Sequence, residues 1–259
     1  MIKYNGDITK VVACGGQVKK IIACGDVVFE YQPPQPTGYK LTMYFSDGKI
    51  GYIDCDSTSA LTYSEVQTTH IVREGGASYA EPFSAITAVS IGDCVTSIGN
   101  GAFSGMTNLQ TVTNYGQNVV TIGNNAFSGC TNLQGIFIGC NTKTIGSSAF
   151  KDCTSVIYLN ICQGVETIGT EAFRNLTSYS GDVDVPDSVT SIGNAAFYNM
   201  PNVSSFKIRP TTPPSLNTNS YAFHINASTF PTAPIKVKVL STYKTATGWV
   251  QYDHYMQQL

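Results

Sequence analysis

The stretch Val119-Val-Thr-Ile122-Gly-Asn-Asn-Ala126-Phe127-Ser-Gly-Cys130-Thr-Asn-Leu133-Gln-Gly-Ile136-Phe-Ile138 decides how the chain must fold, because most of its landmarks recur on both sides of it. Ile-Gly-x-x-Ala-Phe appears five times, from Ile98 to Phe103, Ile122 to Phe127, Ile145 to Phe150, Ile168 to Phe173 and Ile192 to Phe197. Successive phenylalanines are 24, 23, 23 and 24 positions apart. Three residues after each Phe stand Met106, Cys130, Cys153, Leu176 and Met200, and six after stand Leu109, Leu133, Val156, Tyr179 and Val203. Self-similarity at a period of 20 to 50 residues is the mark of a stacked repeat architecture.

Each unit reads as two short extended segments and a corner. Alternating positions such as Ile136-x-Ile138 and Leu159-x-Ile161 predict one strand, and Val-x-x-Ile-Gly, as in Val95 to Gly99 or Val189 to Gly193, predicts a second. The glycine is then expected to turn the chain into a brief helical or 3₁₀ corner carrying Ala-Phe. One such coil buries too few apolar side chains to offset the entropy of ordering its backbone. Coils that stack share each apolar layer and exchange backbone hydrogen bonds, so the unit of stability is the pile, closed at its ends by caps. The core of that pile is expected to hold Ile98, Phe103, Ile122, Phe127, Ile145, Phe150, Ile168, Phe173, Ile192 and Phe197.

The repeat resembles the BspA-like leucine-rich repeat, which occurs in bacterial surface proteins and in proteins of gut bacteriophages. The resemblance runs from about Ile86 to Ile208. It implies a β-rich leucine-rich-repeat arc with short helical or 3₁₀ corners, and a non-catalytic role in binding or adhesion at a surface. A virion surface reached after synthesis in a host cytoplasm is the expected location, with a bacterial cell surface or secretion as the alternative.

The flanks read as caps. Lys40 to Phe45 and Ile50 to Asp54 alternate about Ser46-Asp-Gly48 and predict a β-hairpin, and Ser59 to Val66 predicts a short helix. Residues 37–85 are therefore taken as an amino-terminal cap, residues 86–208 as the repeats, and residues 209–259 as a degenerate last repeat with a carboxy-terminal cap. That last part holds Ser220-Tyr-Ala222-Phe223, an alternating strand Ile235 to Val239, and a closing helix over residues 241–259 with Tyr243, Trp249, Tyr252, Tyr255 and Met256 as anchors. Its expected job is to hide the final apolar layer, sugar stacking on Trp249 being the other reading.

Residues 1–31 differ from the rest. Ile8 to Gly15 is echoed by Val18 to Gly25, and Gln32-Pro-Pro-Gln-Pro36 supplies a semi-rigid spacer. So small a meander needs a partner surface. The resemblance points to virion proteins; self-association into a homo-oligomer and folding back onto the same chain stay open.

Composition narrows the function. With 15 Lys+Arg against 17 Asp+Glu and a net charge of -2, the chain offers no basic field for a nucleic-acid backbone. Charged residues are 12%, so Ser, Thr, Asn and Gln must keep the surface wet. No apolar run reaches membrane-spanning length, and the residues after Met1 contain no apolar signal core, so no membrane span or export is expected.

No reaction centre is expected either. The eight cysteines make no C-x-x-C pair, and His70, His224 and His254 are scattered, which gives neither zinc spacing nor a nucleophile with its base. Cys130 and Cys153 share a slot with Met and Leu and are expected to be buried as small hydrophobes. Disulfides between adjacent coils are geometrically conceivable but not expected without export. Asp54, Asp56, Thr58 and Glu65 imitate a calcium loop, yet Ser59 occupies the place of its required glycine. Residues 99–105 imitate a phosphate loop with the wrong spacing. No metal or cofactor is expected. The partner is expected to be a protein or glycan receptor on a surface, met by a polar arc on which Tyr115, Phe137 and Tyr158 are candidate exposed aromatics, though each could instead pack against a neighbouring coil.

Overall fold

The computed structural model describes residues 20–23, 26–30, 39–46, 50–54, 60–62, 64, 66, 71–73, 78–79, 85–217, 220–225, 229 and 231–259. The chain divides into two compact units, Met1–Thr37 and Gly38–Leu259. In the first, Lys20–Ala23 pairs antiparallel with Asp26–Glu30. The echo at residues 8–15, the spacer at 32–36, His70, Cys55 and the calcium-loop imitation beyond Asp54 lie outside the described residues.

In the second unit the repeats stack as a β-solenoid, and every landmark side chain faces inward. The rings of Phe103, Phe127, Phe150, Phe173, Phe197 and Phe223 form one column, nearly parallel, with centroids 4.8, 5.1, 5.6, 5.4 and 5.8 Å apart in turn. Each is at most 1% exposed, and Ile98, Ile122, Ile145, Ile168 and Ile192 are at most 2% exposed. The column thus runs one layer past residue 208, since Phe223 keeps its place although three prolines loosen the register before it.

Three backbone ladders tie the coils together. On one face, two-residue strands Ala60–Leu61, Ser97–Ile98, Thr121–Ile122, Thr144–Ile145, Thr167–Ile168 and Ser191–Ile192 form a single parallel sheet among the described residues. Its threonines and serines are half-exposed while each isoleucine is buried, the alternation a pleated strand imposes. At the phenylalanine corner the second ladder runs the other way: the amide of Phe127 donates to Ala149 of the next coil, whereas on the short-strand face Gly146 donates back to Ile122.

The corner, expected as a brief helical or 3₁₀ segment, is a series of turns closed by backbone bonds of the 3₁₀ kind, such as Ala126 to Gly123 and Cys130 to Phe127, that do not run on as a helix. Two residues in each coil adopt left-handed backbone, one two places before the Phe (Gly101, Asn125, Ser148, Glu171, Ala195) and one two places after it (Gly105, Gly129, Asp152, Asn175, Asn199). Left-handed residues cannot propagate a right-handed helix, and they redirect the amides toward the next coil. The glycine of Ile-Gly has a different reason from the one its turn-like position suggests. At Gly123, Gly146 and Gly169 a Cβ would lie 2.6–2.7 Å from backbone of the preceding coil, so the coils touch main chain to main chain there.

The third ladder, on the longer strands, is interrupted. Ile86–Ile91 pairs parallel with Thr111–Tyr115; Gly135–Ile138 pairs with Tyr158–Ile161; Asp182–Val185, Ser205–Ile208, Ile235–Val237 and Met256–Gln258 form a third group. The breaks coincide with the two 24-residue coils. In one, the pairing of Thr111–Tyr115 skips at Val112/Asn114; in the other, the strand begins nine residues after its Phe instead of eight. A buried tyrosine hydroxyl attends each break: Tyr115 donates to the Gly135 carbonyl at 3.1 Å and Tyr179 to the Asp182 carbonyl at 2.6 Å.

Both ends are covered. The hairpin Tyr39–Phe45/Ile50–Asp54 lies antiparallel against Ile86–Ile91 and buries Leu41, Met43 and Phe45. Of the helix expected over residues 59–66, Ser64 and Val66 are helical, with Val66 donating its amide to the Thr62 carbonyl, but Ala60–Leu61 is a strand that starts the short-strand sheet, because its backbone pairs with Ser97–Ile98. At the other end the expected single helix is a six-residue α-helix, Leu240–Thr245, a 3₁₀ turn, Val250–Tyr255, and the strand Met256–Gln258. Tyr243, Trp249 and Tyr252 are fully buried and donate to the carbonyls of Pro210, Pro214 and Ser220 at 2.7, 2.7 and 2.6 Å. Trp249 and Tyr252 cover the last ring of the column, Phe223, which leaves Trp249 no face for a sugar.

Candidate binding face

The side chains that leave the long strands outward form a mixed surface whose order follows the register. Gly135 lies beside Tyr158 and Phe137 beside Asn160. Ile136 and Ile138 are buried while Phe137 is half-buried, so Phe137 stands on the outer side of its strand, its ring resting partly on the core. Tyr158 is likewise half-buried and Asn160 exposed. Further along, Asp182 and Asp184 alternate with the buried Val183 and Val185. Lys207 reaches Asp182 at 2.6 Å, Arg209 grips both oxygens of Asp184 at 2.5 Å, and Lys238 reaches Asp187 at 2.5 Å. Burial pulls the Asp182 carboxyl upward, but Lys207 and Ser205 outweigh it and hold it below the ordinary carboxylate range. The face grades from aromatic and neutral to ion-paired.

Tyr115 does not belong to this surface. It is 5% exposed, its ring meets those of Phe127 and Phe150, and its hydroxyl is spent on Gly135. The extra residue of its coil turns position 115 inward, which corrects its expected place among exposed aromatics. Burial pushes its phenol well above the ordinary range, with Cys153 and Cys130 adding to the effect.

A second polar cluster lies at the phenylalanine corner. Glu171 accepts from Lys151 at 2.8 Å and from Arg174, whose guanidinium stands 4.8 Å from the centre of the Tyr198 ring. The Lys151 hydrogen bond chiefly holds the Glu171 carboxyl below its usual value. Nearby, Asn175 donates to Asp152 at 2.5 Å and Asn199 to Asn175 at 2.9 Å, a chain of side-chain bonds along the left-handed positions. These groups pair with one another from coil to coil and serve the stack.

Among the described residues, no group of three or more His, Cys, Asp or Glu is placed to hold a metal ion, and no helix is long and apolar enough to cross a membrane. His224 is buried between the rings of Tyr221 and Tyr252, and His254 is exposed at the far end of the cap. Cys130 and Cys153 are buried thiols donating to the carbonyls of Phe103 and Phe127 at 3.1 and 3.2 Å. The expectation against disulfides is overturned: Cys140 and Cys162, in turns of adjacent coils with Cα atoms 4.9 Å apart, are bonded to each other, and Cys94 is disulfide-bonded as well. Stacking alone brings the two turns within disulfide reach, something the linear spacing does not display.

Repeated coils of 23 or 24 residues, an apolar column and parallel ladders on each side define a leucine-rich-repeat solenoid. The chain belongs to the BspA type leucine rich repeat family, whose pattern matches residues 78–204 and 159–238, with six copies. No curated protein matches the chain. Among solved structures it is similar to the leucine-rich repeat protein of T. pallidum, at 24% identity and a TM-score of 0.47, over 58% of this chain and 77% of that one. A leucine-rich cell surface protein of Faecalibacterium prausnitzii is similar at 18% identity and a TM-score of 0.42, over 78% and 71% of the two chains. A leucine-rich repeat protein of Bacteroides ovatus is similar at 16% identity and a TM-score of 0.32, over 80% and 71%.

Proposed function

We propose that the chain is a non-catalytic binding protein that presents the long-strand face of its solenoid at a surface, to a protein or glycan receptor. The observation that supports this most is the outward group Phe137, Tyr158 and Asn160, held in fixed register on two strands whose buried residues lock into the core. Half-exposed aromatics on a rigid backbone lose little entropy on binding, and a polar, ion-paired margin beside them suits a wetted interface rim. In this reading the display route is a bacteriophage particle, with the unit Met1–Thr37 joining virion proteins or a second copy. A bacterial cell-surface adhesin is the second reading, favoured by the disulfides, which persist in oxidising surroundings.

The test is binding of the full chain, immobilised, to a glycan array and to a panel of bacterial and host cell-surface proteins, followed by the Tyr158→Ala variant on whatever binds. A loss of at least about tenfold in affinity is expected, as for an interface anchor, with stability changed by no more than about 1 kcal/mol. Unaltered affinity in that variant and in Phe137→Ala would remove this face from the function.

A further inference from the structure

The cysteines divide by environment. Cys130 and Cys153 fill the core slot, where burial pushes the Cys130 thiol up to about 12 and raises Cys153 as well. Cys140 is exposed and Cys162 and Cys94 are partly exposed, and these three are the bonded ones among the described cysteines. Thiolates at accessible turns can react, whereas buried thiols held in the protonated form cannot.

Position matters as much as exposure. Cys140 lies two residues after Gly135–Ile138 and Cys162 directly after Tyr158–Ile161, the strand pair that breaks in the long-strand ladder separate from its neighbours on either side. The two turns are nested: Gly164 has φ +130°, and any side chain there would collide with the Cys140 carbonyl oxygen. The covalent link therefore lies at the end of a sheet that, among the described residues, has two strands where the solenoid's other sheets have four or six.

We propose that the Cys140–Cys162 bond is made once the chain has reached an oxidising setting outside the cytoplasm, and that it locks the isolated strand pair bearing Phe137 and Tyr158. The bond arises by exchange with a disulfide oxidant. One cysteine thiolate attacks the oxidant's disulfide and releases one oxidant thiol; the second attacks the resulting mixed disulfide and releases the other. Two protein thiols are oxidised to a disulfide and the oxidant is reduced to two thiols. The lock stands whatever the face binds, since it concerns only the strands beneath it.

The full chain would be recovered separately from a reducing cytoplasm and from an oxidising compartment of the same expression host, alkylated, and mapped by peptide mass. The oxidised material would then be followed by hydrogen exchange and thermal melting before and after dithiothreitol, beside the Cys140→Ser/Cys162→Ser double variant. Expected are a 140–162 cross-link only in the oxidised material, and Cys130 and Cys153 alkylated only after denaturation. Reduction should speed exchange in Gly135–Ile138 and Tyr158–Ile161 by about tenfold or more and lower the melting temperature by roughly 5–10 °C, as for a 22-residue separation. Amides at the phenylalanine corner should stay protected. A cross-link already present in the cytoplasmic material would overturn the assignment of compartment. Exchange and melting unmoved by reduction would overturn the lock, and because reduction acts on wild-type protein this holds even if the double variant does not fold.

Discussion

On one face of the solenoid, two-residue strands from Ala60–Leu61 to Ser191–Ile192 run as a continuous parallel sheet; on the other, longer strands fall into separate groups. The same repeat builds both. From Ser97–Ile98 onward the short strands directly precede the glycine and the phenylalanine corner, where coils meet backbone to backbone and no residue can be inserted without separating the main chains. The long strands come after the corner and before the next Val-x-x-Ile, and both 24-residue coils place their extra residue in that stretch. Continuity lives where the backbones touch, and variation is confined to the face that carries Phe137, Tyr158 and the ion pairs.

Alkaline pH should break this contrast most completely. Tyr115 and Tyr179, at the two breaks, and Tyr243 and Tyr252, in the cap, all have phenols raised above their ordinary value, with burial the first cause in each. The folded chain therefore holds protons that the unfolded chain gives up near pH 10. Stability from these groups is fully present below that pH and falls as pH rises toward the higher folded values. Cooperative unfolding above about pH 10, with tyrosinate absorbance and circular dichroism changing together, is the expected result. Smooth titration of all tyrosines near 10 with the fold intact would contradict their burial.

Next in size is Gly193→Val, which drives a branched side chain into the backbone at Thr170. A loss on the order of 4–5 kcal/mol or more is expected, visible as failure to fold or as a collapse of the denaturant midpoint. A mild effect would mean the coils can part at the short-strand face, erasing the difference between the two sides. Phe150→Ala comes third. Its ring is stacked between Phe127 and Phe173 and touched by Tyr115, and its removal should cost about 3–5 kcal/mol by chemical denaturation. If that cost shrank to the few tenths of a surface substitution, the column would not be the common core of both faces.

Much of this architecture was legible in the sequence. Five Ile-Gly-x-x-Ala-Phe copies in register are enough to give the stack, its inward residues and the buried Cys130 and Cys153 slot, since identical spacing leaves identical side chains only one shared layer to enter. The site was less legible. Phe137 and Tyr158 stand on the outer side because their coils have 23 residues, while Tyr115 points inward because its coil has 24; the spacings are printed in the sequence, but their effect on a neighbouring strand is a property of the stack. The Cys140–Cys162 pair was hidden for the same reason, as 22 residues of chain become 4.9 Å only after the coils are piled. In the caps, the helix that the local pattern gives to residues 59–66 survives at Ser64 and Val66, while Ala60–Leu61 is drawn into pairing with the open edge of the short-strand sheet.

The opposed directions of hydrogen bonding at the corner and on the short-strand face have a consequence for how the molecule terminates. Peptide dipoles at the corner oppose those on the short-strand face, so they do not add along the axis as they would in a long helix. A stack whose backbone dipoles oppose one another can be closed by uncharged side chains, as the buried Tyr243, Trp249 and Tyr252 close its carboxy-terminal end.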